Sequence, residues 1–243
     1  SNAVQTVFIN LYNKGLIYRG ERMINWCPTC HTSISDSEVE YEQEPTHLWH
    51  IKYPIKGEEG KYLIVATTRP ETMLGDTGVA VNPNDERYKA YIGKTVMLPI
   101  VGREIPIIPA DFVETEFGTG AVKLTPAHDV NDYQAGLDNN LEMIKVFDEN
   151  GIMNDIVPEF AGLDIYEARK RIVEKLKEIG ALIKIEDYTH DVGKCYRCHQ
   201  TIEPMISKQW FVKMEPLAKP AIEAVKTGKT KFIPERFDKT YFN

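Results

Sequence analysis

The stretch Tyr62-Leu63-Ile64-Val65-Ala66-Thr67-Thr68-Arg69-Pro70-Glu71-Thr72 begins as an apolar run and ends in hydroxyls, a guanidinium and a carboxylate. A short β-branched run closed by a proline turn reads as a strand leaving its sheet for a loop. Polar groups gathered where a strand leaves a rigid scaffold are common material for a binding site. Pro70 stiffens the turn and cuts its ordering cost. Read alone, Thr68 and Thr72 could simply cap that turn by bonding backbone.

The text around this stretch is of the same kind. Residues 47–55, 61–67, 77–81, 95–100 and 104–108 are short β-like runs separated by Gly, Pro and Asn. Strands at such spacing predict a barrel or strongly curved sheet. A further strand is expected over 121–125, broken by Pro126 and followed by a short helix over 130–137. Two longer helical patterns flank this β text. Residues 4–16 carry apolar positions at helical spacing and stop at Gly15. Residues 164–179 start on Asp164 with Glu167 in a capping-box-like pattern, carry Ile165, Ala168, Ile172, Leu176 and Ile179 on one stripe, and stop at Gly180. The charged remainder of that helix, from Arg169-Lys170-Arg171 to Lys177, reads as a solvated face. The fold expected is α+β and mainly β.

The chain has 243 residues, 42% hydrophobic and 27% charged, which suits one large or two small globular domains. No apolar run approaches membrane-spanning length. A net charge of −7 argues against a protein that coats nucleic acid by charge alone. A local grip on the end of an RNA remains open. Residues 1–3, Ser1-Asn2-Ala3, read as an expression-tag remnant. With no leader pattern after them, the expected location is cytoplasmic. The expected organisation is a connecting segment over 4–46, a core over 47–190 and a second connecting segment over 191–243.

Cys27-Pro28-Thr29-Cys30 and Cys195-Tyr196-Arg197-Cys198 are two C-x2-C knuckles with residues 31–194 between them. Two such pairs suit a metal in a reducing compartment better than a disulfide scaffold. Four thiolates complete a tetrahedral zinc shell and leave no open position, so the site expected is structural, a clamp at the base of the β core. Four buried free cysteines are the plainer alternative.

A second polar motif runs Gly118-Thr119-Gly120-Ala121-Val122-Lys123-Leu124-Thr125-Pro126-Ala127-His128-Asp129-Val130-Asn131-Asp132-Tyr133. The strand delivers Lys123 and Thr125 to one face, being two apart. His128, Asp129 and Asp132 then gather at the entrance of the next helix, where one carboxylate could be an N-cap. Both carboxylates with His128 and Lys123 exceed what capping needs.

Together, Thr67-Thr68-Arg69-Pro70-Glu71-Thr72-Met73-Leu74-Gly75-Asp76 and the Gly118–Tyr133 run resemble the paired signature of the editing domain inserted in class I tRNA synthetases for valine, isoleucine and leucine. The Thr-Thr-Arg-Pro-Glu-Thr form with Lys123, Thr125 and Pro126 is similar to the valine type. The flanking Asn25-Trp26-Cys27-Pro28 and Trp210-Phe211-Val212-Lys213-Met214 are similar to it too. Neither His-x-Gly-His nor Lys-Met-Ser-Lys-Ser occurs, so ATP and valine sites are not expected in this chain.

The resemblance implies a barrel-like editing domain on a zinc-knuckle base. It implies hydrolysis of the ester of threonine on tRNA(Val), through the tRNA 3′ end, by a monomer. By position it assigns Asp132 to the substrate ammonium, a charge-assisted contact. Arg69 and Lys123 are candidates for the RNA end or the developing oxyanion. Thr67, Thr68, Glu71 and Thr125 are candidates for the pocket, and Phe117 for a wall against the terminal adenine or the amino acid. No nucleophile–base pair emerges, so a positioned water is expected to attack, oriented by His128 or Asp129. Two rivals stay open: a non-catalytic zinc-stabilised tRNA-binding module, and editing of isoleucyl or leucyl specificity.

Overall fold

The computed structural model describes residues 1–116 and 118–242, so Phe117 lies outside the described residues. Ten strands are present: β1 (Ile17–Cys27), β2 (Thr32–Ile34), β3 (Val39–Pro54), β4 (Tyr62–Thr67), β5 (Gly78–Val81), β6 (Thr95–Met97), β7 (Glu104–Pro109), β8 (Ala121–Leu124), β9 (Leu182–Cys195) and β10 (Glu203–Val212). The α-helices are α1 (Asn2–Asn13), α2 (Val130–Asp138), α3 (Ile165–Glu178), α4 (Glu215–Lys226) and α5 (Phe237–Phe242). The chain divides into two compact units, residues 23–206 and residues 1–22 with 207–243.

The larger unit is built on β3. Its second half alternates, burying Trp49, Ile51 and Tyr53 on one face. Strand β4 pairs with that half, from Trp49↔Thr67 to Pro54↔Tyr62. Strand β9 runs antiparallel along almost all of β3, from Val39↔Cys195 to Ile51↔Leu182, with a register shift at His50/Ile51. That long pairing carries the second cysteine knuckle back towards the first. A second sheet has the order β6-β7-β5-β8, with β5 parallel to β7 and antiparallel to β8. An isolated bridge, Ile55↔Val96, joins the two sheets. The third sheet has the order β10-β1-β2.

The fold is a mostly-β α+β domain, as the punctuated runs imply, but the barrel is not a closed one. Pairing among the described residues gives three open sheets. The physical reason lies in strand length: β5, β6 and β8 are three or four residues long, too short to carry an unbroken ladder round a ring. Proline at positions 99, 106 and 109 further interrupts the ladder around β6 and β7.

Helix α3 closes the core with the expected stripe: Ile165, Ala168, Ile172 and Leu176 are buried, while Ile179 is exposed. Asp164 caps it by accepting from the Tyr166 N–H at 2.9 Å. Arg169 departs from the expected solvated face. It turns inward and donates to Glu71 from Nε at 2.7 Å and Nη2 at 2.8 Å.

In the smaller unit, α1 begins at Asn2, with Ser1 as its cap, so residues expected to be a tag remnant are helical. Phe8 and Tyr12 meet the Trp210 ring edge-on, with centroids 5.4 and 6.2 Å apart. Helix α4 forms in proline-punctuated text: Pro216 falls in the first turn, where a missing N–H costs nothing, but Pro220 lies inside the helix and removes one backbone donor there. Among the described residues no helix is long and apolar enough to cross a membrane.

Candidate active site and metal centre

Strand β4 ends at Thr67 and passes into a 3-10 turn over Pro70–Gly75 that is buried throughout. The turn fits closely: a Cβ on Gly75 would stand 2.7 Å from Val146 Cγ1 and 2.8 Å from the Ile144 carbonyl. Opposite it, β8 supplies Lys123, and α2 supplies Asp132 within its first turn. Between them lies a cavity of about 280 Å³ whose wall includes Thr67, Thr68, Arg69, Lys123, Asp129 and Asp132. The two polar motifs of the sequence thus meet at one place. Leu48, Ala66 and Val122 supply apolar wall, Thr72 and His128 line it too, and Tyr188 and His190 of β9 complete it. The β9 residues sit far along the chain in ordinary β text, and only the pairing of β3 with β9 reveals them.

Arg69 uses its whole fork internally. Nη2 donates to Glu203, Nε to Glu71 at 3.4 Å, and Nη1 to the His128 carbonyl at 3.2 Å. Burial opposes its charge, but the Glu203 and Glu71 carboxylates outweigh that and hold its pKa above the ordinary arginine value. Glu71 is fully buried (0% exposed) and outside the cavity wall. Burial alone would protonate it, yet Arg169 and Arg69 keep its pKa below the usual carboxylate range. A four-membered ionic cluster, Arg69–Glu71–Arg169–Glu203, therefore underlies the pocket and joins the first motif to α3 and β10. Buried guanidinium–carboxylate contacts of this kind fix geometry more surely than they add stability.

A second network holds Lys123. Its ammonium donates to Thr72 Oγ1 at 3.1 Å, to Thr125 Oγ1, and to Asp76 Oδ1 at 3.4 Å. Asp76 is fully buried (0% exposed) and also accepts from Tyr53 Oη and from Thr125 Oγ1, both at 2.6 Å. Thr125 thus stands behind Lys123, outside the cavity wall. Asp76 closes the first signature, but nothing in the sequence gives it a role. Its partner Tyr53 lies in the first β run with nothing to mark it.

Asp129 is exposed and caps α2, its Oδ1 accepting from Asn131 N at 2.8 Å and Asp132 N at 3.1 Å. Asp132 is 7% exposed and accepts from the Thr125 N–H at 2.8 Å. Burial pushes its pKa up to about 7, with Asp129 adding to the rise and Lys123 opposing it. His128 is 1% exposed and stacks on Phe147, centroids 4.1 Å apart. Its Nε2 accepts from the Val146 N–H at 2.8 Å, which places the ring proton on Nδ1. The Pro204 carbonyl acts on the ring without reaching hydrogen-bond geometry at Nδ1. Burial first, then Arg69 and Lys123, bring the histidine pKa down to about 3, so the ring is neutral at physiological pH.

The two knuckles converge. The ligand atoms of Cys27, Cys30, Cys195 and Cys198 all lie within 4.8 Å of one another, and Cys27 Sγ is 3.5 Å from Cys198 Sγ. A tetrahedral zinc at about 2.3 Å from each sulfur needs neighbouring sulfurs about 3.8 Å apart, so the cluster fits a metal ion of that size. The Cys198 thiol and burial push Cys30 up to about 12, a crowding that a central dication would reverse.

The model for tRNA synthetases class I (I, L, M and V) matches residues 1–243. The chain belongs to that family. Among similar proteins, the valine–tRNA ligase of Clostridium tetani is 61% identical over 241 residues, covering 99% of this chain and 27% of the relative. The valine–tRNA ligase of Thermotoga maritima is 57% identical over 243 residues, 100% of this chain and 28% of the relative. That of Geobacter sulfurreducens is 53% identical across the same 243 residues. The chain thus spans little more than a quarter of the length of the curated relatives it matches.

Proposed function

We propose that this chain is an editing domain that hydrolyses the ester linking threonine to tRNA(Val). The observation that carries the reading is the cavity that brings Asp132, Lys123 and Thr68 to one wall from two separate motifs. The high identity to valine–tRNA ligases favours valyl over isoleucyl or leucyl specificity. The net charge of −7 disfavours a purely RNA-binding module.

A valine-activating site cannot strongly reject threonine, which differs by a hydroxyl in place of a methyl; that limit, about 10²-fold, is the general example for valyl enzymes rather than a result of this structure. A second site that hydrogen-bonds the hydroxyl can discriminate strongly, because valine would leave buried polar groups unpaired. The Thr68 hydroxyl on the cavity wall supplies such a group here, while the Lys123 ammonium, already donating to Thr72, Thr125 and Asp76, contributes positive potential. Asp132, once ionised, pairs with the substrate ammonium.

The chemistry is attack of water on the ester carbonyl carbon. The bond to the ribose oxygen breaks, that oxygen takes a proton, and threonine leaves as the free acid. His128 does not accept the water's proton, since its Nε2 already accepts from Val146; it positions the 128–132 turn. Asp129, exposed at the rim, orients the water. Arg69, with its fork committed inside the protein, shapes the pocket floor and contributes positive potential to the developing oxyanion rather than a free hydrogen-bonding hand. The four-cysteine site holds one zinc ion in a structural role.

The test is deacylation of threonyl-tRNA(Val), valyl-tRNA(Val) and isoleucyl-tRNA(Ile) by the isolated chain. Selective loss of threonine from tRNA(Val) is expected. Binding of all three without turnover of any would replace this reading with the RNA-binding module.

A further inference from the structure

A second cavity, about 330 Å³, shares Thr68, Arg69 and His190 with the wall of the first. Its lining also includes the rings of Tyr41 of β3 and Tyr166 of α3. Tyr41 is 70% exposed and Tyr166 47% exposed. Large aromatics held open on a concave surface usually serve a partner. Arg169 lies over the Tyr166 ring at 5.5 Å from its centroid, which stiffens that ring at the cavity edge.

The guanidinium groups around the cavity are already paired. Arg69 is paired with Glu203, Arg169 with Glu71, and Glu44 with Lys194 at 2.5 Å. Such a lining offers little to a phosphate. It suits a flat, uncharged ring that stacks on tyrosine. Asp191 also lines the cavity and forms no ion pair among the described residues, so it offers an acceptor to an exocyclic amino group. The volume is at the lower end of small-molecule sites, enough for one nucleoside.

We propose that this cavity binds the base of the penultimate nucleotide of the RNA strand whose terminal aminoacyl-adenosine occupies the first cavity. The proposal rests on the editing reading for the identity of that strand, whose 3′ end is cytidine-cytidine-adenosine in every tRNA. Because the cavities share a wall, consecutive nucleotides can fill both. The penultimate cytosine stacks on Tyr41 and Tyr166, and its amino group donates to Asp191.

Two threonyl esters separate the possibilities: threonyl-adenosine, and the same ester on the dinucleotide cytidylyl-adenosine. The dinucleotide is expected to show a KM at least about fivefold lower, the smallest gain expected of one stacked base. Tyr41→Ala with Tyr166→Ala should remove that gain and leave threonyl-adenosine turnover unchanged; the two Phe variants should retain it. The uridylyl ester, which lacks the amino donor, should fall between. Equal KM values for adenosine and dinucleotide esters, with both hydrolysed, would overturn the proposal and leave the editing reading standing. Binding of uncharged cytidylyl-adenosine, followed by the tyrosine ring proton resonances, needs no hydrolysis. Tighter binding than adenosine with shifted Tyr41 and Tyr166 signals supports the site even if neither ester is cleaved, and the absence of both effects overturns it.

Discussion

At the scale of single residues, the pocket sets two titrations against each other. Asp132 is raised to about 7 by burial and by Asp129, and His128 is lowered to about 3 by burial and by Arg69 and Lys123. A carboxylate whose folded pKa is raised gives stability that is present below its ordinary value near 3.8 and lost as pH rises through about 7. A histidine whose folded pKa is lowered gives stability that is present above 6.5 and lost as pH falls towards about 3. Each slope is on the order of 1.4 kcal/mol per pH unit, and between roughly pH 4 and 6.5 they oppose. Asp132→Asn removes one of them. Urea unfolding of that variant should show stability rising more steeply with pH from 4.5 to 6.5 than it does in the parent. A flat profile in the variant would mean that His128 is not held neutral by its surroundings. The same substitution should abolish threonyl ester hydrolysis, and with it a parent rate that climbs with pH through about 7 as Asp132 ionises.

Asp76 makes a different point at the same scale. Its carboxylate binds Lys123, Thr125 and Tyr53 at once, so it fixes the ammonium without touching the cavity. Asp76→Asn is expected to cut kcat by tenfold or more, about 1.4 kcal/mol, with a small change in KM. Tyr53→Phe, which removes one of three contacts, should do much less. Equal effects of the two changes on kcat would point to a general loss of fold instead. The sequence held Asp76 in plain view, inside a quoted motif, yet its partner Tyr53 reads only as a buried strand position. Glu203 was less legible still, since 134 residues separate it from Arg69. A hydrogen bond across that separation leaves no local pattern.

At the scale of elements, what was legible followed chain-local physics. Strand β4, helix α2 and helix α3 fall within a residue or two of their expected bounds, because alternation, capping and the 3.6-residue stripe are local signals. Strand β9 was not expected, because its polar residues are set by pairing with β3 rather than by burial of one face. The sheets' failure to close was likewise not legible, since closure depends on how far short strands reach. The turn over Pro70–Gly75 is the element on which the pocket depends most. It is pinned under Val146 and the Ile144 carbonyl, and any side chain at position 75 must push it outward. Gly75→Ala is therefore expected to cost about 1–3 kcal/mol through overpacking, and to impair hydrolysis beyond that loss because Arg69 and Thr72 move with the turn. Denaturant unfolding together with the deacylation rate at a temperature where the variant stays folded checks both parts. Full activity in a destabilised variant would show that the pocket tolerates movement of its floor.

At the scale of the molecule, the cysteine cluster joins residues from both ends of the larger unit, where Cys27 and Cys195 are buried beside Ile34 and Ile202. A metal bound only by the folded state adds its binding energy to folding, and here it would tie together two ends of the unit that lie far apart in the chain. Elemental analysis should find one zinc per chain. Chelation or Cys27→Ser should lower the unfolding midpoint while threonyl ester hydrolysis persists in molecules that remain folded. Four freely titratable thiols and no zinc would leave the base held by packing alone.

The charge of the whole chain decides how it meets RNA. With 29 basic against 36 acidic residues, the surface as a whole repels a polyanion, and the basic groups nearest the cavities are already spent: Arg69 on Glu203 and Glu71, Arg169 on Glu71, Lys194 on Glu44. Affinity must then come from the amino acid, the terminal nucleoside and stacking, with few phosphates neutralised. Each phosphate of a single strand that the protein neutralises adds about −0.7 to the log–log slope of binding against salt concentration. The chain is therefore expected to show a slope no steeper than about −1 to −2 for threonyl-tRNA(Val), and nearly the same kcat/KM for whole tRNA as for a short threonyl oligonucleotide ending in the same nucleotides. Deacylation measured across a salt series with both substrates tests this. A steep slope confined to whole tRNA would place a phosphate-binding face on this chain, and the exposed lysines and arginines of α3 would be the first place to seek it.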